Sequence, residues 1–274
     1  MTSKHLFNRI TLIGIGLINS SIARFVRDNK LAAEIVIYSR RSSTLNKAMS
    51  LGLADRAESK IENAVEGADL VILGAPVGAN QSIAKAMQPN LKSGCIVSDV
   101  GSVKASVIND ITPYIPKNVH FVPAHPIAGT EHSGPEAGSA SLFRDHWCII
   151  TPPENCNKQA IKKVVQFWEA AGSNVTIMDA NHHDKVLAIT SHLPHLIAYN
   201  IVGTIADIET VTDKEVVKYA AGGFRDFTRI AASDPEMWRD IFLNNQDAVL
   251  EMLGRFTEDL AALQKAIRWA IVRP

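Results

Sequence analysis

Residues 9–23, RITLIGIGLINSSIA, decide how the chain is read. A short apolar run, residues 10–13, leads into a glycine turn at Gly14-Ile15-Gly16, and helical periodicity follows over residues 17–26. Strand, glycine turn and helix in that order open a dinucleotide-binding fold. Gly14 permits the tight turn, and Gly16 lets the backbone approach a pyrophosphate. The helix that follows aims the N–H groups of its first residues, Leu17 and Ile18, and the positive end of its dipole at that anion. The third glycine of G-x-G-x-x-G would fall at position 19, where this chain has Asn19. That glycine ordinarily serves close packing of helix on strand. Asn19 is therefore expected to push the first helix outward or to turn its amide toward the phosphates.

Working outward, residues 34–38 (EIVIY), 69–74 (DLVILG) and 94–98 (GCIVS) are further apolar runs bounded by turn residues, with helical stretches between them. Continuous apolar strands alternating with helices predict a parallel sheet covered on both faces. Residues 103–111 read as helix and 119–122 (VHFV) as a fifth strand, followed by a glycine-rich loop over residues 125–141. Residues 147–151 and 174–178 are strand-like, flank a helix over 158–171, and are expected to extend the same sheet. Beyond Asp179 no strand pattern recurs. Residues 180–208 read as one long helix bent at Pro194, where proline removes a ladder hydrogen bond. Residues 215–232 are helical with a break at Gly222-Gly223, and Pro235 suits the first turn of another helix. The last helix carries Val249, Leu253, Phe256, Leu260, Leu263 and Ile267, a single apolar seam. The fold class is thus α/β: a Rossmann-type parallel-sheet domain over residues 1–179, then an all-helical domain over residues 180–274.

The 28 Lys and Arg balance the 28 Asp and Glu, so there is no overall electrostatic footprint for a nucleic acid. Cys95, Cys148 and Cys156 lack metal or redox spacing, and the first two lie in strand-like runs, as buried thiols do. The N-terminal MTSKHLFNR has no apolar signal core, and no stretch approaches 18 consecutive apolar residues. The expectation is a cytoplasmic protein with neither a membrane nor a nucleic-acid partner.

In an open parallel sheet, ligands sit at the carboxyl ends of the strands. Four such ends carry chemistry here. The first is the Gly14–Gly16 turn. The second is Ser39-Arg40-Arg41, which offers a hydroxyl and guanidinium groups where an acid would favour an unphosphorylated ribose. It points to NADP, with NAD as the alternative if the arginines form only a solvated turn. The third is Asp99-Val100-Gly101-Ser102, where Ser102 is expected to cap the following helix, to contact substrate, or to do both. The fourth is the start of the loop, where His125 is a candidate general base and Glu131 a candidate orienting acid. Ala75-Pro76, ending the third strand, belong to the same candidate cofactor edge. In the helical part, His192 and His195 lie three apart, near His182 and His183. No matching Cys or carboxylate spacing supports a metal, and none is expected. Asp226 and Arg229 are either a surface ion pair or part of a clamp for a substrate carboxylate.

Taken together, GIGLINSS at 14–21, DVGSVK at 99–104, AHPIAGTEHSGP at 124–135, TSHLPH at 190–195 and GGFRDFTRIAASDPEMW at 222–238 resemble the TyrA family, the prephenate and arogenate dehydrogenases of tyrosine biosynthesis. The resemblance implies oxidative decarboxylation of a cyclohexadienyl acid, with hydride passing to a nicotinamide. By the same resemblance, His125 polarises or deprotonates the ring hydroxyl, Ser102 bonds that hydroxyl, and Arg229 binds a carboxylate. His195 and His192 line the pocket, and Thr130, Glu131, Asp226 and Trp238 fall at or near it. The family also places the site in a cleft between its domains and pairs its helical domains into dimers. The alternative is another two-domain NAD(P) oxidoreductase, of the β-hydroxyacid dehydrogenase or imine reductase type.

Overall fold

A computed structural model describes residues 5–130, 132–209 and 218–269. The chain divides into two compact units, residues 1–183 and 184–274.

The first unit is built on a six-stranded sheet. Its strands are β1 (Phe7–Ile13), β2 (Ala32–Tyr38), β3 (Arg56–Glu58), β4 (Leu70–Leu73), β5 (Ile96–Asp99) and β6 (His120–Phe121). They pair in the order β3-β2-β1-β4-β5-β6, every pair parallel. Helices α1 (Leu17–Asp28), α2 (Ser42–Ser50), α3 (Ile61–Val65), α4 (Asn80–Met87) and α5 (Ala105–Ile111) make the crossovers. Burial on both faces explains the unbroken apolar runs: Ile10, Leu12 and Ile13 of β1 and all of β4 lie in the core. The register Ile13↔Tyr38, Ile13↔Leu73 and Leu73↔Asp99 brings four strand ends to one edge. The order of strands reverses between β1 and β4, with β2 and β3 laid down to one side and β4 to β6 to the other, so the crevice at that edge opens at the point where ligands bind such sheets.

The strands after β6 do not extend this sheet, contrary to the expectation from their sequence. β7 (Ala124–Pro126), β8 (Trp147–Ile150) and β9 (Asn174–Ile177) form a separate three-stranded sheet in the order β7-β8-β9, with β8 antiparallel to β7 and parallel to β9. An apolar run records that a strand is buried, not which strand it pairs with. Helix α6 (Lys158–Ala170) brings Phe167 and Trp168 against Phe25 of α1 and Phe143, an aromatic cluster that joins the small sheet to the large one. Cys95 and Cys148 are buried thiols, and burial pushes Cys95 up to about 12.

Helix α7 (Ala180–Leu187) passes from the first unit into the second. It runs through a π-helical turn, Ala188–His192, into α8 (Leu193–Glu209). The expected interruption at Pro194 thus takes the form of a wider turn just before the proline, which lacks the N–H an α-helical ladder requires. Helix α9 (Gly222–Thr228) tightens into a 3-10 turn, Arg229–Ala232. Asp234 caps α10 (Pro235–Asn244), accepting from the N–H groups of Glu236 and Met237, with Pro235 in its first turn. The chain continues into α11 (Gln246–Arg268). Of the apolar seam on α11, Val249 is buried within the unit, while Leu260, Leu263 and Ile267 stand 47%, 59% and 81% exposed.

Candidate active site

The turn after β1 has the form a pyrophosphate requires. Gly14 adopts φ +79°, and a Cβ there would lie 2.9 Å from the Gly74 carbonyl oxygen, so the turns after β1 and β4 touch at the crevice. A Cβ on Gly16 would meet nothing within 4 Å. Gly16 is the N-cap of α1 and supplies no side-chain bond to the helix, which leaves the first N–H groups, at Leu17 and Ile18, to a ligand. These features fit a bound dinucleotide.

Asn19 does not turn its amide toward the phosphates. Its side chain is buried and turns inward, and Nδ2 donates to the carbonyls of Gly14 at 2.7 Å and Ile13 at 3.1 Å. The neighbouring turn makes room for it: a Cβ on Gly74 would lie 2.5 Å from Asn19 Nδ2. A glycine lost from the helix is matched by one on the facing strand end.

At the end of β2, Arg40 and Arg41 are exposed, and the Ser39 hydroxyl accepts from the Arg41 N–H at 3.2 Å. Ala75 and Pro76 follow β4 after Gly74. At the end of β5, Asp99 is almost wholly buried and forms an ion pair with Lys104, which is fully buried. Its Oδ2 also accepts from the Gly101 N–H at 2.8 Å. Burial pushes the Asp99 carboxyl up, and Lys104 and the Gly101 N–H pull it back. Asp99 therefore lies beneath the turn and holds it, rather than standing at its surface. Helix α5 starts at Ala105 with Lys104 as its N-cap, so Ser102 does not cap it and sits half-buried in the turn.

His125 occupies the middle of β7, paired with Ile149 of β8, and is 8% exposed. Lys104 Nζ donates to the carbonyl of Ala124 at 2.8 Å, so one buried cation ties the Ser102 turn to the residue before His125. His125 Nδ1 lies 2.8 Å from His183 Nε2. Sequence reasoning placed His183 only in a rejected metal cluster and gave Lys104 no role. The DVGSVK block contained the lysine, but burial is what gives it meaning. Thr130 is exposed, and its hydroxyl accepts from the His132 N–H at 3.3 Å. Glu131 lies outside the described residues. The loop beyond is moored to α1: Arg24 donates to the carbonyls of Gly138 and Pro135, and the Ser139 N–H to the Ser21 hydroxyl.

In the helical unit, the His195 ring stacks on Trp238 with centroids 3.6 Å apart and 20° between planes. Its Nδ1 donates to the Ser191 carbonyl at 2.9 Å, so in the neutral ring Nε2 is an acceptor. Burial holds its pKa below the ordinary histidine value, partly offset by that bond. His192 is fully buried: Asn245 Nδ2 donates to its Nδ1 at 3.0 Å and to the Asp184 carbonyl at 2.8 Å. The π turn therefore presents His195 half-exposed and fixes His192 inside. Asp226 is exposed on α9, and Arg229 is exposed at the start of the 3-10 turn.

Two family profiles match the chain in order. The prephenate dehydrogenase nucleotide-binding domain matches residues 22–177, and the prephenate dehydrogenase dimerization domain matches residues 179–270. A cyclohexadienyl dehydrogenase of Zymomonas mobilis is 44% identical over 95% of this chain and 89% of its own length. A prephenate dehydrogenase of Bacillus subtilis is 34% identical over 93% of this chain and 68% of its own. Among solved structures, prephenate dehydrogenase from A. aeolicus in complex with hydroxyphenyl propionate and NAD+ superposes with a TM-score of 0.89 at 35% identity, covering 96% of this chain and 91% of that one. The alternative of a β-hydroxyacid dehydrogenase or imine reductase is not favoured. The Rossmann-type turn, the buried histidine of β7 and these likenesses along nearly the whole chain lead to one conclusion: the chain belongs to the prephenate dehydrogenase family.

Proposed function

We propose that this chain catalyses NAD(P)-dependent oxidative decarboxylation of prephenate, arogenate or both, giving 4-hydroxyphenylpyruvate or tyrosine, as a cytoplasmic homodimer. The observation that carries the reading is His125, a buried imidazole on a short strand tied by Lys104 to the turn that bears Ser102. A nicotinamide dinucleotide held by the Gly14–Gly16 turn and the N–H groups of Leu17 and Ile18 would supply the hydride acceptor for the ring carbon that carries the hydroxyl. Aromatisation on loss of carbon dioxide supplies the driving force, so the protein has to position the ring, manage one proton and hold charge. His125 accepts the hydroxyl proton as hydride leaves and returns it to the phenolate once carbon dioxide has gone. Ser102 bonds the same oxygen. Arg229 pairs with a substrate carboxylate, and His195, stacked on Trp238, presents Nε2 as an acceptor. Thr130, Glu131 and Asp226 are assigned to substrate binding. Arg40 and Arg41, exposed beside Ser39, favour NADP through a 2′-phosphate.

The test follows reduced-nicotinamide absorbance with prephenate and with arogenate, each with NAD and with NADP. At least one pair is expected to turn over, with NADP favoured. No reduction with any pair overturns the assignment. His125→Asn is expected to lower kcat by about 10²–10⁴-fold while leaving cofactor binding intact. Arg229→Gln is expected mainly to raise KM, the loss of a desolvated charge contact being worth about 2–5 kcal/mol.

A further inference from the structure

We infer that His183 is a positioning residue that fixes the tautomer of His125, keeping its proton on Nδ1 so that Nε2 is the nitrogen that receives the substrate proton. The inference rests on the reading of His125 as proton acceptor and adds a residue to it. Both rings lie in the first unit, His183 fully buried and His125 nearly so. Their centroids are 5.1 Å apart with 64° between planes, and Nδ1 of one faces Nε2 of the other at 2.8 Å.

A contact of that length between ring nitrogens holds one proton. Two N–H groups would point their hydrogens at each other, and two lone pairs would repel. Two arrangements remain. In the first, His125 Nδ1–H donates to His183 Nε2, and neutral His125 has a bare Nε2. In the second, His183 Nε2–H donates to His125 Nδ1. Neutral His125 then carries its hydrogen on Nε2 and has no lone pair to offer there.

Only the first survives the proton cycle. When Nε2 takes the hydroxyl proton, His125 becomes an imidazolium with hydrogens on both nitrogens. Nδ1–H then continues to donate to the same lone pair of His183, and nothing has to move. In the second arrangement, protonating His125 would require the contact to break. Which ring nitrogen is basic is set by the bond the other one makes, and holding the wrong tautomer is costly in histidine-based catalysis.

The backbone around both rings is fixed. The Ala124 carbonyl accepts from Lys104 just before His125. The Asp179 carboxylate accepts from the N–H groups of Asn181 and His182, and its carbonyl accepts from the His183 N–H at 2.9 Å.

The experiment is long-range ¹H–¹⁵N correlation on full-length protein labelled with ¹⁵N-histidine, at neutral pH, with His125→Asn supplying the assignment. In the wild type, His125 is expected to be protonated at Nδ1 and bare at Nε2; a hydrogen on Nε2 overturns the inference. In kinetics, His183→Leu is expected to lower kcat by about 10²–10⁴-fold at unchanged cofactor Kd. His183→Gln, whose amide oxygen accepts from Nδ1–H, is expected to recover to within about tenfold of wild type. A Leu variant with wild-type kcat, or a folded Gln variant as impaired as Leu, also overturns it. If His183→Leu fails to bind cofactor, the wild-type spectrum decides alone. Full activity in His125→Asn would instead defeat the underlying reading, a result separable from the tautomer because the spectrum requires no turnover.

Discussion

Asn19 illustrates how one side chain replaces a glycine without loss of the fold. Its amide donates to carbonyls at the end of β1, and the space it needs exists because residue 74 has no side chain. The two positions should therefore be coupled. Gly74→Ala forces a Cβ into the Asn19 amide and is expected to cost about 1–3 kcal/mol. Asn19→Gly forfeits the hydrogen bonds at the strand end and is expected to cost about 1–3 kcal/mol. In the double variant, the clash has no partner, so its loss should fall short of the sum by about 0.5–3 kcal/mol. Urea midpoints measure all three, and strict additivity would show that the contact carries no energy. The sequence displayed the missing glycine. It did not display the compensation, because residues 19 and 74 meet only when β1 pairs with β4.

At the scale of elements, the junction of β5 and α5 ties the sheet to the candidate base. Lys104 reaches Asp99 at the end of one strand and the Ala124 carbonyl at the start of another. Because both ions are buried, removing one leaves the other uncompensated. Lys104→Met is expected to lower stability by about 3–5 kcal/mol, and adding Asp99→Asn to that variant should restore part of the loss. Thermal unfolding checks both, and a double variant less stable than the single would count against the pair as the reason. The DVGSVK block was legible as a strand end with a glycine and a serine. Its reach to the strand of His125 was not, since residues 104 and 124 meet only once the chain has returned through α5 and β6. The π turn is a similar case: Pro194 marked a local irregularity in the sequence, and the wider turn with its separate placement of His192 and His195 emerged from packing against Asn245 and Trp238.

For the molecule as a whole, the exposed seam on α11 is the feature a single chain leaves unsatisfied. Leu260, Leu263 and Ile267 recur on one side of a long helix. The stretch Ala180–Asp207 is also apolar enough, by length and composition, to cross a membrane, with only 28% of its most apolar window buried. We propose that the α11 seam pairs with a second copy of the chain, in keeping with the dimerization domain whose profile matches residues 179–270. Leu263→Glu with Ile267→Glu is expected to shift sedimentation from dimer to monomer mass. A wild type that sediments as a monomer, or a variant still dimeric, would place the interface elsewhere or remove it.

The sequence by itself determined the class of fold and the family. Strand, turn and helix signals are local, and five short blocks in fixed order identified the relatives. It also marked His125 and Arg229 as candidates, since their residue types carry chemistry wherever they lie. Tertiary structure alone decided which strands pair, so that the last three form their own sheet. It turned Asn19 inward, paired Asp99 with Lys104, and set His183 against His125. The strand pairing, the space that Gly74 leaves for Asn19 and the His183–His125 contact join residues far apart in the chain, and the local Asp99–Lys104 pair takes its meaning from burial and from the reach of Lys104 to Ala124. Local pattern records whether a side chain is buried, while only the folded backbone determines what it is buried against.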